Sequence, residues 1–224
     1  MRPNCTKRQR VGSVNFKNSR NEKAYLSQSE IHSYMQDIEP FYNWRHLYTA
    51  ENDPDSPFYG REYSEFEYSN TVYNYFIHPQ WDEFGSETLY IKILYADYEH
   101  EFAIIELIGE WNDAIGNDIM FLKRDIVDEL IGQGIKHFIL IGENVLNFHA
   151  SGSDYYEEWF DEIGDGWIVG LNFRDHVIAE FKDYEIDCFI LLFSESTNEI
   201  PWRNYLPRNL FERINNSMKR LLDA

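Results

Sequence analysis

The sequence contains few cysteines and no long apolar segment. Its two cysteines, Cys5 and Cys188, are too few for a disulfide framework or a cysteine-ligated metal cluster, and this count favours a reducing cytoplasm. The longest apolar runs, such as CFILLF at residues 188–193, are far too short to cross a bilayer. The first 23 residues also lack the apolar core of a signal peptide. We therefore expect a soluble, cytoplasmic protein without a membrane partner.

Basic residues are scarce outside the N-terminus. The chain has 20 Lys and Arg against 39 Asp and Glu, and seven of the basic residues lie in residues 1–23 together with a single acid. This tail carries a net charge of +6, and the other 201 residues carry −25. An acidic body repels nucleic-acid phosphates and acidic lipids, so we expect no nucleic-acid binding except through the tail. The composition of the tail favours a disordered leader over a nucleic-acid arm.

Recognised catalytic and metal-binding motifs are also missing. The seven histidines show no HExxH or comparable ligand spacing, and the motifs GxSxG, GxxxxGKS/T and GxGxxG do not occur. The acidic segment DYYEEWFDEIGDG at residues 154–166 could hold Mg²⁺, but its spacing is better explained as the solvated face of a helix. We expect no cofactor, no metal and no catalytic residue, and a non-catalytic protein rather than an enzyme.

What the sequence does contain is a large aromatic fraction, 17% of 224 residues, which is enough for the core of one large domain. After the tail, residues 24–87 are irregular. The stretch SQSEIHSYMQDIEP predicts a short helix that ends at Pro40, and SNTVYNYFIHP predicts a strand that ends at Pro79. We interpret residues 24–87 as an irregular α+β elaboration that packs on a main domain formed by residues 88–224.

In residues 88–224 the hydrophobic periodicity is clear. TLYIKILYADY and EFAIIELIGEW, separated by a tight acidic turn, predict a β-hairpin. Apolar residues from Ile115 to Leu130 recur at steps of three and four, which predicts an amphipathic helix capped by Asn112 or Asp113. Strands and helices then alternate in the order KHFILIG, SDYYEEWFDEIG, WIVGLNF, RDHVIAEFKDYEID, CFILLF and a last helix that starts near Pro207. The order β-β-α-β-α-β-α-β-α predicts an α/β fold with a hairpin-led mixed β-sheet and helices packed on it.

The stretch ILIGENVLNFHASGSDYYEEW at residues 139–159 predicts a buried strand, a polar loop from Glu143 to Asp154, and an acidic helix rich in aromatic residues. A loop held at both ends presents polar groups at little ordering cost, so we predict a protein-binding surface here, with carboxylates that favour a basic partner. Tyr155 and Trp159 are equally well explained as contact residues and as core anchors. The predicted binding residues are Glu143, Asn144, Asn147, His149, Ser151, Ser153, Asp154, Glu157 and Glu158.

This element order and the stretch EFAIIELIGEWND…LKRDIVDELIGQGIKHFILIGENVLNFHASG resemble the STAS family, the sulfate transporter and anti-sigma factor antagonist domains. The resemblance covers about residues 88–224 and implies a regulatory, protein-binding module. In the family the loop reads approximately Asp-Ser-Ser-Gly, and phosphorylation of the first serine switches partner binding. Aligned on Gly152, this chain has His149, Ala150 and Ser151, so we expect the usual switch to be absent. Ser153 is better explained as a helix N-cap than as a phosphoacceptor.

The alternative function is a small-molecule-binding protein or enzyme with a pocket between the N-terminal elaboration and the sheet. One geometric feature discriminates between the two functions. Convergence of Asp113, His149 and Asp154 on a concave pocket favours the small-molecule alternative, and their placement on a convex face favours the binding module.

Overall fold

Two β-sheets organise the chain. The computed structural model describes residues 36–64, 70–73, 75–194 and 200–222. The small sheet consists of strands β1 to β3, which are Gln36–Ile38, Thr71–Val72 and Tyr75–Ile77. The large sheet consists of strands β4 to β8, which are Leu89–Asp97, Phe102–Asn112, His137–His149, Trp167–Phe173 and Ile190–Ser194.

The strands of the large sheet lie side by side in chain order. Strand β4 pairs antiparallel with β5 as the predicted hairpin, and β5 to β8 pair parallel to one another. The strands read as nearly continuous apolar runs because both faces of the sheet are covered. The predicted α/β fold and its element order are confirmed.

In the described part of the chain, four helices pack on the large sheet. Helix α1 is built from three consecutive segments, Asp118–Phe121, a π-helical stretch Leu122–Val127, and Asp128–Gly132. Helices α2, α3 and α4 are Asp154–Glu162, Asp175–Asp183 and Pro207–Leu222. Short 3₁₀ helices are found at Ala50–Asn52, Ile186–Cys188 and Trp202–Asn204. No helix in the described ranges is long and apolar enough to cross a membrane.

The large sheet separates two hydrophobic cores. Helices α1 to α3 cover one face, where Trp111 and Phe148 of the sheet pack in one cluster with Trp159 of α2. Helix α4 covers the other face, where Phe211 stacks on Phe102 with ring centroids 4.3 Å apart. The residues that precede β4 pack on both faces, since Trp44 belongs to the α4-side cluster while Ala50, Phe58 and Phe84 belong to the other.

Helix α1 begins later than the sequence predicted. Its first residue is Asp118, and Ile115, expected on the apolar face of the helix, is 89% exposed. Asn112 explains the difference, because its side-chain oxygen accepts a hydrogen bond from the Ile115 backbone N–H at 3.0 Å and its carbonyl accepts one from Gly116 at 3.0 Å. These bonds close a turn, so the chain passes through a loop before it can enter the helix.

Strand β6 is much longer than predicted. The expected loop from Glu143 to Asp154 is wrong as far as His149, because β6 continues to that residue and leaves a connection of four residues before α2. The extension pairs with the long strand β5 across two register shifts, at Glu106/Ile108 and at Gly109/Glu110. These bulges keep Val145 and Phe148 buried, although Phe148 lies between the polar residues Asn147 and His149, so this part of the strand resembles a loop in composition.

The N-terminal part also departs from expectation. Strand β1, Gln36–Ile38, lies where the end of a helix was predicted, and the rest of that helix, like the basic tail, falls outside the described residues. The predicted strand before Pro79 is present as β2 and β3, interrupted at Tyr73, whose φ is 53°. Cys188 is disulfide-bonded, which the cysteine count did not predict, so this residue gives no support to a reducing compartment.

Candidate functional site

Two loops meet at the carboxyl ends of the parallel strands β5 and β6. One comprises residues 112–117 and the other residues 149–154, and together we name them the platform. The backbone N–H groups of Asp113 and Ala114 both donate to the carbonyl oxygen of His149, at 2.9 and 3.0 Å. The two loops are therefore tied to each other as well as to their strands.

The Asp113 side chain fixes the platform to the helix layer. It is 3% exposed, and its Oδ1 atom accepts hydrogen bonds from the Trp111 indole and the Ile119 backbone N–H, both at 2.9 Å. Its Oδ2 atom accepts a third from the Tyr156 hydroxyl at 2.6 Å. Burial raises the pKa of Asp113 to about 6, although these donors act in the opposite direction. A carboxylate engaged by three donors holds strand β5, helix α1 and helix α2 in register.

A second buried carboxylate supports the same loop. Asp118 accepts a hydrogen bond from the Asn112 backbone N–H at 2.6 Å, and burial raises its pKa. The platform also has exposed residues, which are Ala114, Ile115, Gly116, Ser151 and Asp154. The platform thus presents a large apolar side chain to solvent on a backbone that is already ordered.

A polar cluster lies beside the platform on the α4 side of the sheet. Successive strand residues point to opposite faces, so Asn147 and His149 are turned away from the helix-side core that contains Phe148. His149 Nε2 lies 3.1 Å from Glu110 Oε1 and 3.0 Å from the Asn147 side-chain nitrogen. The other Glu110 oxygen accepts a hydrogen bond from the hydroxyl of Tyr73, which is 59% exposed. The small sheet therefore contributes to the rim of the site.

The predicted binding residues do not form one surface. Asn147 and His149 belong to the polar cluster, and Ser151, Ser153 and Asp154 belong to the platform. Glu143 instead pairs with Arg203, which also lies 3.7 Å from the fully buried Glu106. Asn144 is a half-buried residue of β6, and Glu157 and Glu158 lie on α2, across the sheet from the polar cluster.

Helix α2 uses its aromatic and acidic residues for packing. Tyr156 and Trp159 are fully buried, so Trp159 is a core anchor and not a contact residue. Glu158 forms two hydrogen bonds with the Arg124 guanidinium, at 2.6 and 2.9 Å. Ser153 occupies the expected N-cap position, but its hydroxyl makes no capping hydrogen bond.

The side chain of Lys123, in the π-helical stretch of α1, points inward. Its ammonium group is completely buried and pairs with Asp128 and, at 2.6 Å, with Glu162. Two of the acidic residues between 154 and 165, Glu158 and Glu162, are thus neutralised by basic residues of α1. In the described part of the chain, the group of side chains close enough to hold a metal ion is elsewhere, at Asp97, Glu99 and His100. Arg208 already binds Asp97 there at 2.9 Å, and its positive charge disfavours a cation.

A separate cavity of about 250 Å³ lies between the N-terminal part and strand β4. Beside it the buried Asp82 pairs with Arg61 at 3.0 Å and Lys92 at 3.1 Å, and accepts a hydrogen bond from the Tyr63 hydroxyl at 2.6 Å. Burial lowers the pKa of Lys92, and the Asp82 carboxylate opposes that effect. Asp113, His149 and Asp154 are absent from the wall of this cavity and from the walls of two others formed by described residues.

Several residues of the site were missed by sequence reasoning. Ile115 was assigned to the core because its spacing fits a helix, and Glu110 was taken as part of an ordinary hairpin strand. The available signal was the run EWND, in which three polar residues surround a buried tryptophan at the end of an apolar strand. Tyr73 could not be found from the sequence, because it reaches the site only through the packing of the small sheet.

No family model and no curated protein matches the chain. Among solved structures, the chain is similar to the unphosphorylated form of the anti-sigma factor antagonist SpoIIAA. The two are 13% identical with a TM-score of 0.35, and the match covers 47% of this chain and 90% of the other. Membership of the STAS family therefore stays a prediction, and the function proposed below rests on the geometry of the chain itself.

Proposed function

We propose that the chain is a non-catalytic protein-binding module that engages its partner through the platform and the adjacent polar cluster. The observation that carries this proposal is the position of Ile115. It is 89% exposed at the tip of a loop held by Asn112 and tied to β6. Scattered exposed apolar residues are common, but a large one on an ordered loop contacts a partner with little loss of conformational entropy.

The surroundings of Ile115 define the chemistry of the partner. His149 and Tyr73 are 42% and 59% exposed at the rim and offer polar contacts, and Asp154 is exposed on the neighbouring loop. Residues 24–224 carry a net charge of −25. A complementary partner therefore has an apolar pocket for Ile115 bordered by basic side chains. Regulation by phosphorylation of the usual serine is not part of this proposal, because Ala150 stands at that position.

Ile115→Asp tests the proposal, with Leu206→Asp as the matched control. Leu206 is 55% exposed and precedes α4, whose Arg208 binds Asp97 at the opposite end of strand β5. Proteins that co-purify with each variant from the native host are compared after the thermal midpoints have been shown to be unchanged. We expect the Ile115 variant to lose a partner that wild type and the Leu206 variant both retain. Retention of every partner by the Ile115 variant would place the interface elsewhere.

A small-molecule-binding protein is the second candidate function, and one observation favours it. The cavity of about 250 Å³ lies where the N-terminal part meets strand β4, which is the location that the alternative requires. In this proposal residues 24–87 form an elaboration of the main domain, residues 88–224, and supply most of the cavity wall. The two functions use different surfaces and do not exclude each other.

A further inference from the structure

The wall of the cavity between the N-terminal part and β4 is rich in aromatic and acidic residues. Three aromatic residues, Tyr63, Trp81 and Tyr90, line it together with the acidic residues Glu62 and Glu83. We propose that it binds a small organic cation, a quaternary ammonium compound or a primary amine of about the size of choline. This inference rests on the second candidate function, because it names the class of small molecule that the cavity takes.

Aromatic rings attract cations through the negative potential over their faces. This part of the molecule already uses that interaction, since the Lys92 ammonium lies 3.7 Å from the centroid of the Tyr63 ring. Arg61 similarly lies 5.0 Å from the centroid of the Phe58 ring. A ligand with a positive charge would find further aromatic side chains, Trp81 and Tyr90, in the cavity wall.

The charges of the cavity wall also favour a cation. Among the described lining residues, Arg61 is the one of Lys or Arg type. It donates to Asp82 Oδ1 at 3.0 Å and to the Glu83 carbonyl oxygen at 3.1 Å. The Asp82 carboxylate that Arg61 contacts is shared with Lys92, so these three residues together carry one positive charge. Among the described residues neither Glu62 nor Glu83 forms an ion pair, so their two carboxylates give the wall and these three residues together a net charge of −1. Burial raises the pKa of Tyr90, and the nearby Glu83 carboxylate raises it further, which places that negative charge close to an aromatic wall residue.

The size of the cavity restricts the ligand further. A volume of about 250 Å³ lies just below the usual range for ligand sites, so a compact amine suits the cavity better than a nucleotide or a peptide. The carboxylates and the net negative charge of the body repel an anion. A small cation is the class that meets the volume, the aromatic walls and the charge together.

Calorimetric titration of the full chain tests the inference with choline chloride, glucose and sodium acetate as probes. We expect choline to bind with a dissociation constant on the order of 0.1–1 mM, because cation–π and carboxylate contacts in a partly open site are individually modest. Glu62→Gln and Glu83→Gln remove one charge each with little change of shape, and each should weaken choline binding roughly tenfold. Glu87→Gln is the matched control, because Glu87 is exposed, close in sequence and absent from the wall.

The outcomes separate the inference from the function on which it rests. Choline binding that is weakened by the two wall variants but not by Glu87→Gln supports both. Binding of glucose or acetate with no binding of choline keeps a small-molecule function and overturns the cation inference. Absence of binding by all three probes at about 10 mM overturns both, since such an affinity is too weak for a built site. Equal weakening by all three variants shows a general charge effect and also contradicts the inference.

Discussion

At the residue scale, the most informative side chains are carboxylates buried inside the sheet and its loops. Glu106 is 1% exposed in the middle of β5, where its Oε2 atom accepts the Phe41 backbone N–H at 2.8 Å. Burial raises its pKa to about 7, although Phe41 and Arg203 lower it in part. Because this value is above the ordinary value of 4.5, the folded state binds the proton more tightly than the unfolded state.

The sign of the resulting pH dependence is definite. The contribution of Glu106 to stability is fully present below pH 4.5 and is lost as the pH rises through about 7. Glu106→Gln removes this titration. As the pH rises from 4.5 to about 7, the free energy of unfolding of the variant should therefore increase relative to that of wild type, by on the order of 2–3 kcal/mol. Urea denaturation at pH 5 and pH 8 measures the difference. Glu99→Gln, at an 83% exposed side chain, is the control, and an equal gain there would contradict the explanation.

The Tyr156 hydroxyl gives a second prediction at this scale. It donates to the buried Asp113 carboxylate at 2.6 Å, and loss of a donor to a buried charge leaves that charge less well solvated. Tyr156→Phe should therefore lower the free energy of unfolding by about 1–3 kcal/mol. Tyr155→Phe serves as the control at the adjacent, half-buried position. Equal stability of the two variants in urea would show that the hydroxyl bond does not hold the platform.

At the element scale, the buried face of α1 contains one charged side chain of unusual placement, Lys123. Lys123 follows Ile119 by four residues and precedes Ile126 by three, so helical spacing places it on the apolar side, where it is fully buried against α2. Its carboxylate partners Asp128 and Glu162 keep side-chain exposures of 32% and 41%. The pair is therefore asymmetric, because the carboxylates can recover water and the ammonium cannot.

This asymmetry predicts unequal effects of the two ways of breaking the pair. Lys123→Met replaces the buried charge by an apolar chain of similar length and should change the free energy of unfolding by less than about 1.5 kcal/mol. The double variant Asp128→Asn with Glu162→Gln leaves the ammonium buried without its two closest partners and should cost about 3–5 kcal/mol. Thermal and urea denaturation measure both. A larger loss for Lys123→Met than for the double variant would contradict the explanation.

In residues 88–224 the element types could be predicted from the sequence, but the element ends could not. Alternation in β4 and β5 and the apolar spacing of Ile119 to Leu130 are local properties, so the hairpin and the helix followed directly. The end of β6 depends on bulges that pair it with β5, and the start of α1 depends on hydrogen bonds to Asn112. Both depend on partners distant in sequence or on specific turns, which periodicity does not report.

At the scale of the whole molecule, the acidic charge of the body governs how partners approach. A partner with basic side chains around its apolar pocket gains from this charge, and salt screens the attraction. Partner binding by wild type should therefore weaken when NaCl is raised from roughly 50 to 500 mM, while an apolar anchor leaves residual binding at high salt. Co-purification at both concentrations measures the effect. Unchanged or stronger binding at high salt would show that the charge of the body plays no part.

The candidate site could be predicted from the sequence only in part, and the reason is the arrangement of layers. The sequence indicated the connection after β6, because residues 149–154 join a buried strand to a helix, and the structure has a connection there. The sequence could not show that the sheet separates Asn147 from Glu157, nor that the small sheet brings Tyr73 to Glu110. Such neighbours are created by the packing of distant segments, and one sequence contains no periodicity that reports them.

The most direct test of the central claim places a photo-crosslinking amino acid at position 115 of the full chain in the native host. The same residue at position 206, which is also exposed, provides a control on a different surface. A module that binds through the platform should give one discrete crosslinked protein from position 115 and not from position 206. The same product from both positions, or a product from position 206 alone, would contradict a partner surface at the platform.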